Sequence, residues 1–113
     1  MHEISLCESV VQLIEEQARS QGFRKVRLVR LEIGRLAGVE IEAMRFGFDA
    51  VAKGSIVDGA GLDIVEVPGT AWCPRCQRRV GVQLRFEACP DCGHLPLELT
   101  SGDEMRILEL EVE

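Results

Sequence analysis

The sequence is poor in aromatic residues: it has no tyrosine, a single tryptophan and an aromatic content of 4% over 113 residues. Proteins that bind single-stranded nucleic acid stack bases on aromatic side chains, so this class is not indicated. Positive charge is also scarce, because 13 lysines and arginines stand against 19 aspartates and glutamates and give a net charge of −6. A chain this acidic is not expected to bind phosphate backbones, and nucleic acid is therefore an unlikely partner.

Long apolar runs are missing as well. No stretch reaches the roughly 20 apolar residues of a membrane-spanning helix, and Met1-His2-Glu3 lacks the positively charged start of a secretory signal. We therefore expect a cytoplasmic protein without a membrane partner. No Ser-His-Asp group, phosphate-binding loop or close pair of carboxylates is recognisable, so we do not expect an enzyme.

The apolar pattern predicts an α+β fold, in which a small sheet is packed with two helices. Apolar residues recur at helical spacing over 6–18, Ser5 resembles the start of a capping box with an earlier helix start left open, and Gly22 fits the helix end. A second helix is predicted over 40–53. Strands are predicted over 24–33, 62–67 and 105–112. The first of these should be central, because both its faces are partly apolar, and the last should pair back into the same sheet.

Four of the five cysteines form two C-x-x-C pairs separated by twelve residues: Cys73, Cys76, Cys89 and Cys92. This spacing lets four thiolates surround one Zn²⁺ in a closed tetrahedron, which is typical of a structural site. Disulfides, a redox C-x-x-C motif and an iron–sulfur cluster are the alternatives, and a reducing cytosol disfavours the first. The remaining cysteine, Cys7, lies near an apolar helix stripe and is expected to be a buried structural thiol.

The cysteine pairs also predict how the chain is divided. Residues 70–94 read as an inserted zinc-ribbon-like module, with a hairpin strand over 80–86, and residues 1–69 together with 95–113 read as the α+β domain. The apolar residues of the module are too few for a self-sufficient core, so zinc should be needed for its folding.

Four arginines in the module leave a second function open: Arg75, Arg78, Arg79 and Arg85. A zinc-ribbon adaptor that binds nucleic acid or the transcription machinery would use such cations. However, four thiolates and one Zn²⁺ carry a net charge of −2, which cancels the excess positive charge of the module. Protein contact is therefore favoured over nucleic-acid contact.

The two histidines are His2 and His94. A lone histidine is most often a surface residue or a satisfied core residue. At position 2, however, the imidazole can chelate a metal together with its own backbone nitrogen and the terminal amine. Deprotonated amide nitrogen suits Cu²⁺ and Ni²⁺ in planar geometry. The sequence therefore allows a second metal site at the N-terminus.

Several motifs resemble the HypA/HybF family of hydrogenase nickel-incorporation proteins, in the same order and over essentially the whole chain. They are Met1-His2-Glu3-Ile4-Ser5-Leu6-Cys7, Ile33-Gly34-Arg35-Leu36-Ala37-Gly38-Val39-Glu40, Arg45-Phe46-Gly47-Phe48-Asp49, the two C-x-x-C pairs, and Gly102-Asp103-Glu104-Met105-Arg106-Ile107. The terminal Met-His-Glu combined with the doubled C-x-x-C is the most specific part of the resemblance.

The resemblance implies a nickel metallochaperone with Zn²⁺ as a structural ion and Ni²⁺ as cargo. Nickel would bind His2 and backbone nitrogens near Met1, His2 and Glu3, with Glu3 and Glu40 as further candidates. The family's zinc ligands match the four paired cysteines, and His94 is an alternative zinc ligand. The implied partners are a HypB-like GTPase and the precursor of a nickel-iron hydrogenase large subunit.

Overall fold

The computed structural model describes residues 2–113, which form two helices and six strands. The helices are α1 (His2–Gln21) and α2 (Ile41–Ala52). The strands are β1 (Val26–Gly34), β2 (Gly61–Val67), β3 (Gly69–Cys73), β4 (Arg78–Val82), β5 (Glu98–Ser101) and β6 (Met105–Val112). The expected α+β class is confirmed.

The strands form two sheets of three strands each, in the orders β2-β1-β6 and β4-β3-β5. The central position of β1 and its pairing with the last strand are confirmed. In the second sheet, β3 runs antiparallel to both neighbours, and its register with β4 extends from Gly69 opposite Val82 to Cys73 opposite Arg78. This register joins β3 and β4 in one hairpin, in which Cys73 ends β3 and Cys76 lies in the turn that follows.

The chain divides into two compact units. The first contains the residues up to Leu31, Val39–Ile64 and Ile107–Glu113, and the second contains Glu32–Gly38 and Val65–Arg106. The second unit includes the predicted module 70–94 and is wider on both sides, because β3 also pairs with β5 at residues 98–101. Across the described residues, neither helix is long and apolar enough to span a bilayer.

Each unit has its own buried side chains. In the first unit, α1 and α2 pack together, and the thiol of Cys7 contacts the carbonyl oxygen of Met44 at 3.5 Å and its sulfur at 3.7 Å. Cys7 is fully buried, which confirms that it is a buried thiol, and Met44 is fully buried against it. In the second unit, the buried cluster is small and consists of Leu36, Ala71, Cys73, Val80, Val82 and Cys89.

The second helix and the last strand have nearly the predicted bounds, whereas two other elements differ. α1 begins at His2, ahead of Ser5, and in its first turn the Glu3 carboxylate accepts a hydrogen bond from the N–H of Glu40, the N-cap residue of α2. Its end is as predicted: Gly22 has a φ of 80° and its N–H donates to the carbonyl of Ala18 at 2.8 Å.

The prediction that the hairpin strand continues to Phe86 is wrong, because β4 ends at Val82. The next amide, that of Gln83, donates to the Glu87 carboxylate at 2.9 Å. Since Val82 already pairs with the first residue of β3, the ladder has no further partner for this amide. The chain therefore turns away from the sheet after Val82.

Candidate metal centres

The four paired cysteines converge at one point of the second unit. Their sulfur atoms all lie within 4.8 Å of one another, with Cys73 Sγ 3.6 Å from Cys92 Sγ and Cys76 Sγ 3.9 Å from Cys89 Sγ. A tetrahedron with Zn–S bonds of about 2.3 Å has S···S edges of about 3.8 Å. The two individual distances match this edge, and the four sulfurs lie close enough together to surround a tetrahedral zinc ion.

The two C-x-x-C pairs adopt the same local turn. In each, the residue that follows the second cysteine is left-handed, with φ values of 55° at Gln77 and 76° at Gly93. The N–H of that residue donates at 2.8 Å to the carbonyl of the first cysteine, Cys73 or Cys89. This turn folds each pair back on itself, so that both of its sulfurs face the same side.

The electrostatics of the cluster favour a bound cation. Burial raises the pKa of Cys89, but the N–H groups of Asp91 and Cys92 and the side chains of Cys92 and Cys73 together lower it to about 7. The pKa of Cys76 is raised to about 12, chiefly by its hydrogen bond with Cys92. Four sulfurs this close cannot all ionise unless a positive charge lies between them, and Zn²⁺ provides that charge.

The ligand set also indicates the role of this centre. All four positions of a tetrahedral ion would be filled by sulfur from the chain, which leaves no open position for a substrate. The four-cysteine cluster therefore fits a structural zinc site. One of the arginines considered for nucleic-acid binding, Arg78, forms an ion pair with Asp91 and so links the two cysteine turns.

His94 lies next to this cluster along the chain, but the group of metal-competent atoms consists of the four cysteine sulfurs. Its main chain takes part in the second turn, since its carbonyl accepts the N–H of Cys89 at 2.9 Å. A ligand role for its imidazole stays a prediction.

The second candidate centre is at the start of α1. His2 is the first residue of the helix, its side chain is 53% exposed, and its Nδ1 lies 3.7 Å from a carboxylate oxygen of Glu3. Amides in the first turn of a helix have no intrahelical acceptor, so main-chain nitrogens near His2 are not committed to the helix ladder. The predicted contribution of Met1 lies outside the described residues.

Glu3 joins the starts of the two helices. Glu3 is only 8% exposed, and its carboxylate accepts the N–H of Glu40 at 3.1 Å. This bond, followed by the N–H of Glu3 itself, lowers the pKa of the Glu3 carboxyl. Glu40 is the N-cap of α2, with its own carboxylate accepting the N–H of Glu42 at 3.4 Å. The structure thus brings His2, Glu3 and Glu40 together at two helix N-termini.

The bond between Glu3 and Glu40 was not foreseen from the sequence. An acidic residue in the first turn of α1 and an acidic N-cap on α2 are each explained by their own helix. Neither local signal shows that the Glu3 carboxylate accepts a hydrogen bond from the N–H of Glu40. The packing of Cys7 on Met44 sets the two helices so that this bond can form.

Glu3→Gln should weaken the first unit and make its stability less dependent on pH. A carboxylate with a lowered pKa in the folded state stabilises the protein above its unfolded pKa, and this contribution is lost as the pH falls through the folded pKa. Thermal unfolding of nickel-free, zinc-loaded protein between neutral and acid pH measures the effect. Glu8→Gln, on the exposed side of the same helix, is the control, and identical pH profiles for the two variants would contradict the role of Glu3.

Comparisons with known proteins agree with these features. Residues 1–112 match the family model described as hydrogenase/urease nickel incorporation, metallochaperone, hypA. The chain is 57% identical to the hydrogenase maturation factor HypA of Alkalilimnicola ehrlichii and 55% identical to that of Azotobacter chroococcum, over the full length of both chains in each case.

A solved structure is similar over nearly the whole chain. The solution structure of the Ni metallochaperone HypA from Helicobacter pylori superposes with a TM-score of 0.73 at 30% sequence identity, covering 99% of this chain and 97% of that one. The likeness therefore includes both units of the fold.

Proposed function

Because the chain belongs to the HypA family of hydrogenase and urease nickel-incorporation proteins, we propose that it binds Ni²⁺ at its N-terminus and delivers it to the precursor of a nickel-iron hydrogenase large subunit. The observation that carries the proposal is an exposed His2 at the start of α1, beside the Glu3 carboxylate. These groups are the nitrogen and oxygen donors that Ni²⁺ accepts in planar geometry.

The charges around His2 suit a cargo that must be released. A helix N-terminus carries a partial positive charge, which disfavours a cation. The ionised Glu3, whose pKa is lowered by the N–H of Glu40, offsets that charge. A site with opposing contributions of this kind binds a divalent ion less firmly than a closed cage, and the exposure of His2 gives an acceptor protein access to the metal.

The four cysteines have a different task. A Zn²⁺ ion would cross-link the two C-x-x-C turns through Cys73, Cys76, Cys89 and Cys92. These four sulfurs would leave the ion with no open coordination position. The buried cluster around Ala71 and Val80 then maintains the hairpin that carries the first turn. The two ions are therefore distinguished by ligand type, because the proposed nickel site has nitrogen and oxygen donors and the zinc site has thiolates.

The family also indicates the setting of the reaction. A maturation factor works with the hydrogenase maturation machinery, and we propose that a HypB-like GTPase and the large-subunit precursor are the partners, in the cytoplasm. The protein would transfer an ion without making or breaking a covalent bond, and would therefore be a chaperone rather than an enzyme.

His2→Ala should weaken Ni²⁺ binding by about 100-fold or more, because the imidazole is the only side-chain nitrogen donor proposed for the site. Calorimetric titration of zinc-loaded protein with Ni²⁺ measures the affinity, and metal analysis verifies that zinc is retained. His94→Ala is the matched control and should bind nickel as the wild type does. Equal nickel affinity of all three proteins would disprove the N-terminal site.

An N-terminal extension should have the same effect as His2→Ala, since it converts the terminal amine into an amide and crowds the first helical turn.

Delivery is tested separately by incubating nickel-loaded protein with purified large-subunit precursor and measuring nickel in each after separation. If nickel stays on the wild-type protein in the presence of both the precursor and the GTPase, the delivery step is wrong even when the binding site is right.

A further inference from the structure

The turn that follows β4 presents two large apolar side chains to solvent. Phe86 is 90% exposed and Leu84 is 69% exposed. Both line a groove of about 530 Å³ in the second unit, together with the buried Leu36 and the exposed Gly38. Exposed apolar residues that cluster around a groove mark an interaction site more often than singly scattered ones do.

Two hydrogen bonds hold the turn that carries Leu84 and Phe86. The Glu87 carboxylate accepts the N–H of Gln83 at 2.9 Å, and the N–H of Glu87 points to the carbonyl of Leu84 at 3.4 Å. These two bonds close residues 83–87 into a turn in which Leu84 and Phe86 are exposed. A surface that is ordered before binding loses less entropy when a partner docks.

Two arginines lie in the same groove. Arg35 and Arg85 line it together with the apolar residues, and within residues 2–113 neither guanidinium has a carboxylate in ion-pair distance. Glu87 also lines the groove, and its carboxylate accepts the N–H of Gln83, so two guanidinium groups and one carboxylate leave the lining with a net charge of +1. The groove is therefore locally positive on a chain whose net charge is −6.

From these contacts we propose that Leu84, Phe86, Arg35 and Arg85 form a docking surface for a protein segment in which carboxylates adjoin large apolar side chains. Guanidinium groups pair with carboxylates in a planar, two-point geometry, and the phenylalanine and leucine provide the apolar anchors that dominate such contacts. The surface is independent of the nickel site and goes beyond the proposed function.

Charge complementarity favours a protein segment over the other anionic partners. Recognition of anionic lipid surfaces uses clusters of about four to eight basic residues, and nucleic-acid binding draws its affinity from many phosphate contacts. Two guanidinium groups on an acidic chain are too few for either. They are sufficient to orient one acidic, apolar peptide.

Selection of a displayed random peptide library on zinc-loaded wild-type protein tests the proposal. Enriched peptides should combine Asp or Glu with Leu, Met, Phe or Trp. Their synthetic forms should bind about tenfold more weakly to Phe86→Ser, and their affinity should lose most of its salt dependence in the double variant Arg35→Gln, Arg85→Gln. The control is Phe46→Ser, which removes a different phenylalanine that is 77% exposed and should bind as the wild type does.

Several outcomes would overturn the proposal. They are enrichment of peptides without carboxylates, equal binding to wild type and Phe86→Ser, failure to enrich any peptide, or self-association of the wild type that Phe86→Ser abolishes. Binding of phosphatidylserine vesicles or oligothymidylate that depends on Phe86 and the two arginines would assign the groove to lipid or nucleic acid instead. Phe86→Ser should bind Ni²⁺ and Zn²⁺ normally, so failure here is distinguishable from failure of the nickel site.

Discussion

Cys89→Ser should lose its zinc and, with it, the folded structure of the second unit. Four of the ten residues in or against the buried cluster of this unit are the paired cysteines, so the apolar remainder is too small to fold alone. Structural zinc contributes roughly 10 to 16 kcal/mol in small metal-dependent folds, more than any single side chain of this cluster. We expect metal analysis to show no bound zinc, and amide exchange to show β3 and β4 unprotected.

Cys7→Ala is the matched control, because Cys7 is equally buried but belongs to the first unit. It should retain one zinc and the protection of β3 and β4. Treating the wild type with a strong chelator should reproduce the effect of Cys89→Ser, and adding Zn²⁺ back should reverse it. A second unit that stays protected after zinc has been removed would show that the ion is dispensable for its fold.

Gly34→Ala should destabilise the second unit by about 3 kcal/mol or more, at the upper end of overpacking effects. An alanine Cβ at this position would lie 2.0 Å from the carbonyl oxygen of Gly102 and 2.1 Å from its carbonyl carbon. Gly102 cannot move away easily, because its own α-carbon faces the main chain of Pro68 and Gly69. Three glycines therefore allow backbones to pack against one another where no side chain fits.

Urea unfolding of the zinc-loaded protein measures the free energy of unfolding that Gly34→Ala loses. Gly81→Ala is the control, since Gly81 is exposed and a Cβ there meets no atom within 4 Å. The same Gly102 carbonyl accepts the N–H of Leu36 at 2.7 Å, so Gly34→Ala should also expose Leu36. Equal stability of the two alanine variants would mean that the close approach of the glycines is not maintained in solution.

Local signals in the sequence were sufficient for most elements of the fold. The helical spacing around Val10 and Ile14, the stop at Gly22 and the alternation in 105–112 each arise from short-range physics, and the structure has these elements. The end of β4 was missed because it depends on a partner: the ladder stops where β3 begins, and the Glu87 carboxylate takes the next amide.

The two candidate metal centres also differ in how far local sequence signals predict them. The spacing of Cys73, Cys76, Cys89 and Cys92 predicts the zinc cluster by itself, since two short turns and one hairpin limit where the sulfurs can go, and the sulfurs do converge. The role of His2 rested on its position and on the resemblance to a family. Its surroundings depend on the packing of two helices that are distant in sequence.

The sequence by itself determined the α+β class, the elements with strong periodicity and the four-cysteine cluster, because these follow from residue spacing over short distances, and it indicated the family through motifs that resemble it along the whole chain. Three features were decided only by the tertiary structure. The Glu3 carboxylate accepts the N–H of Glu40, and the backbones at three glycines approach one another closely. Leu84 and Phe86 are exposed and line a groove with two arginines. Each of these depends on which distant segments meet, and a hydrogen bond or a close approach between such segments leaves no periodic trace in the chain.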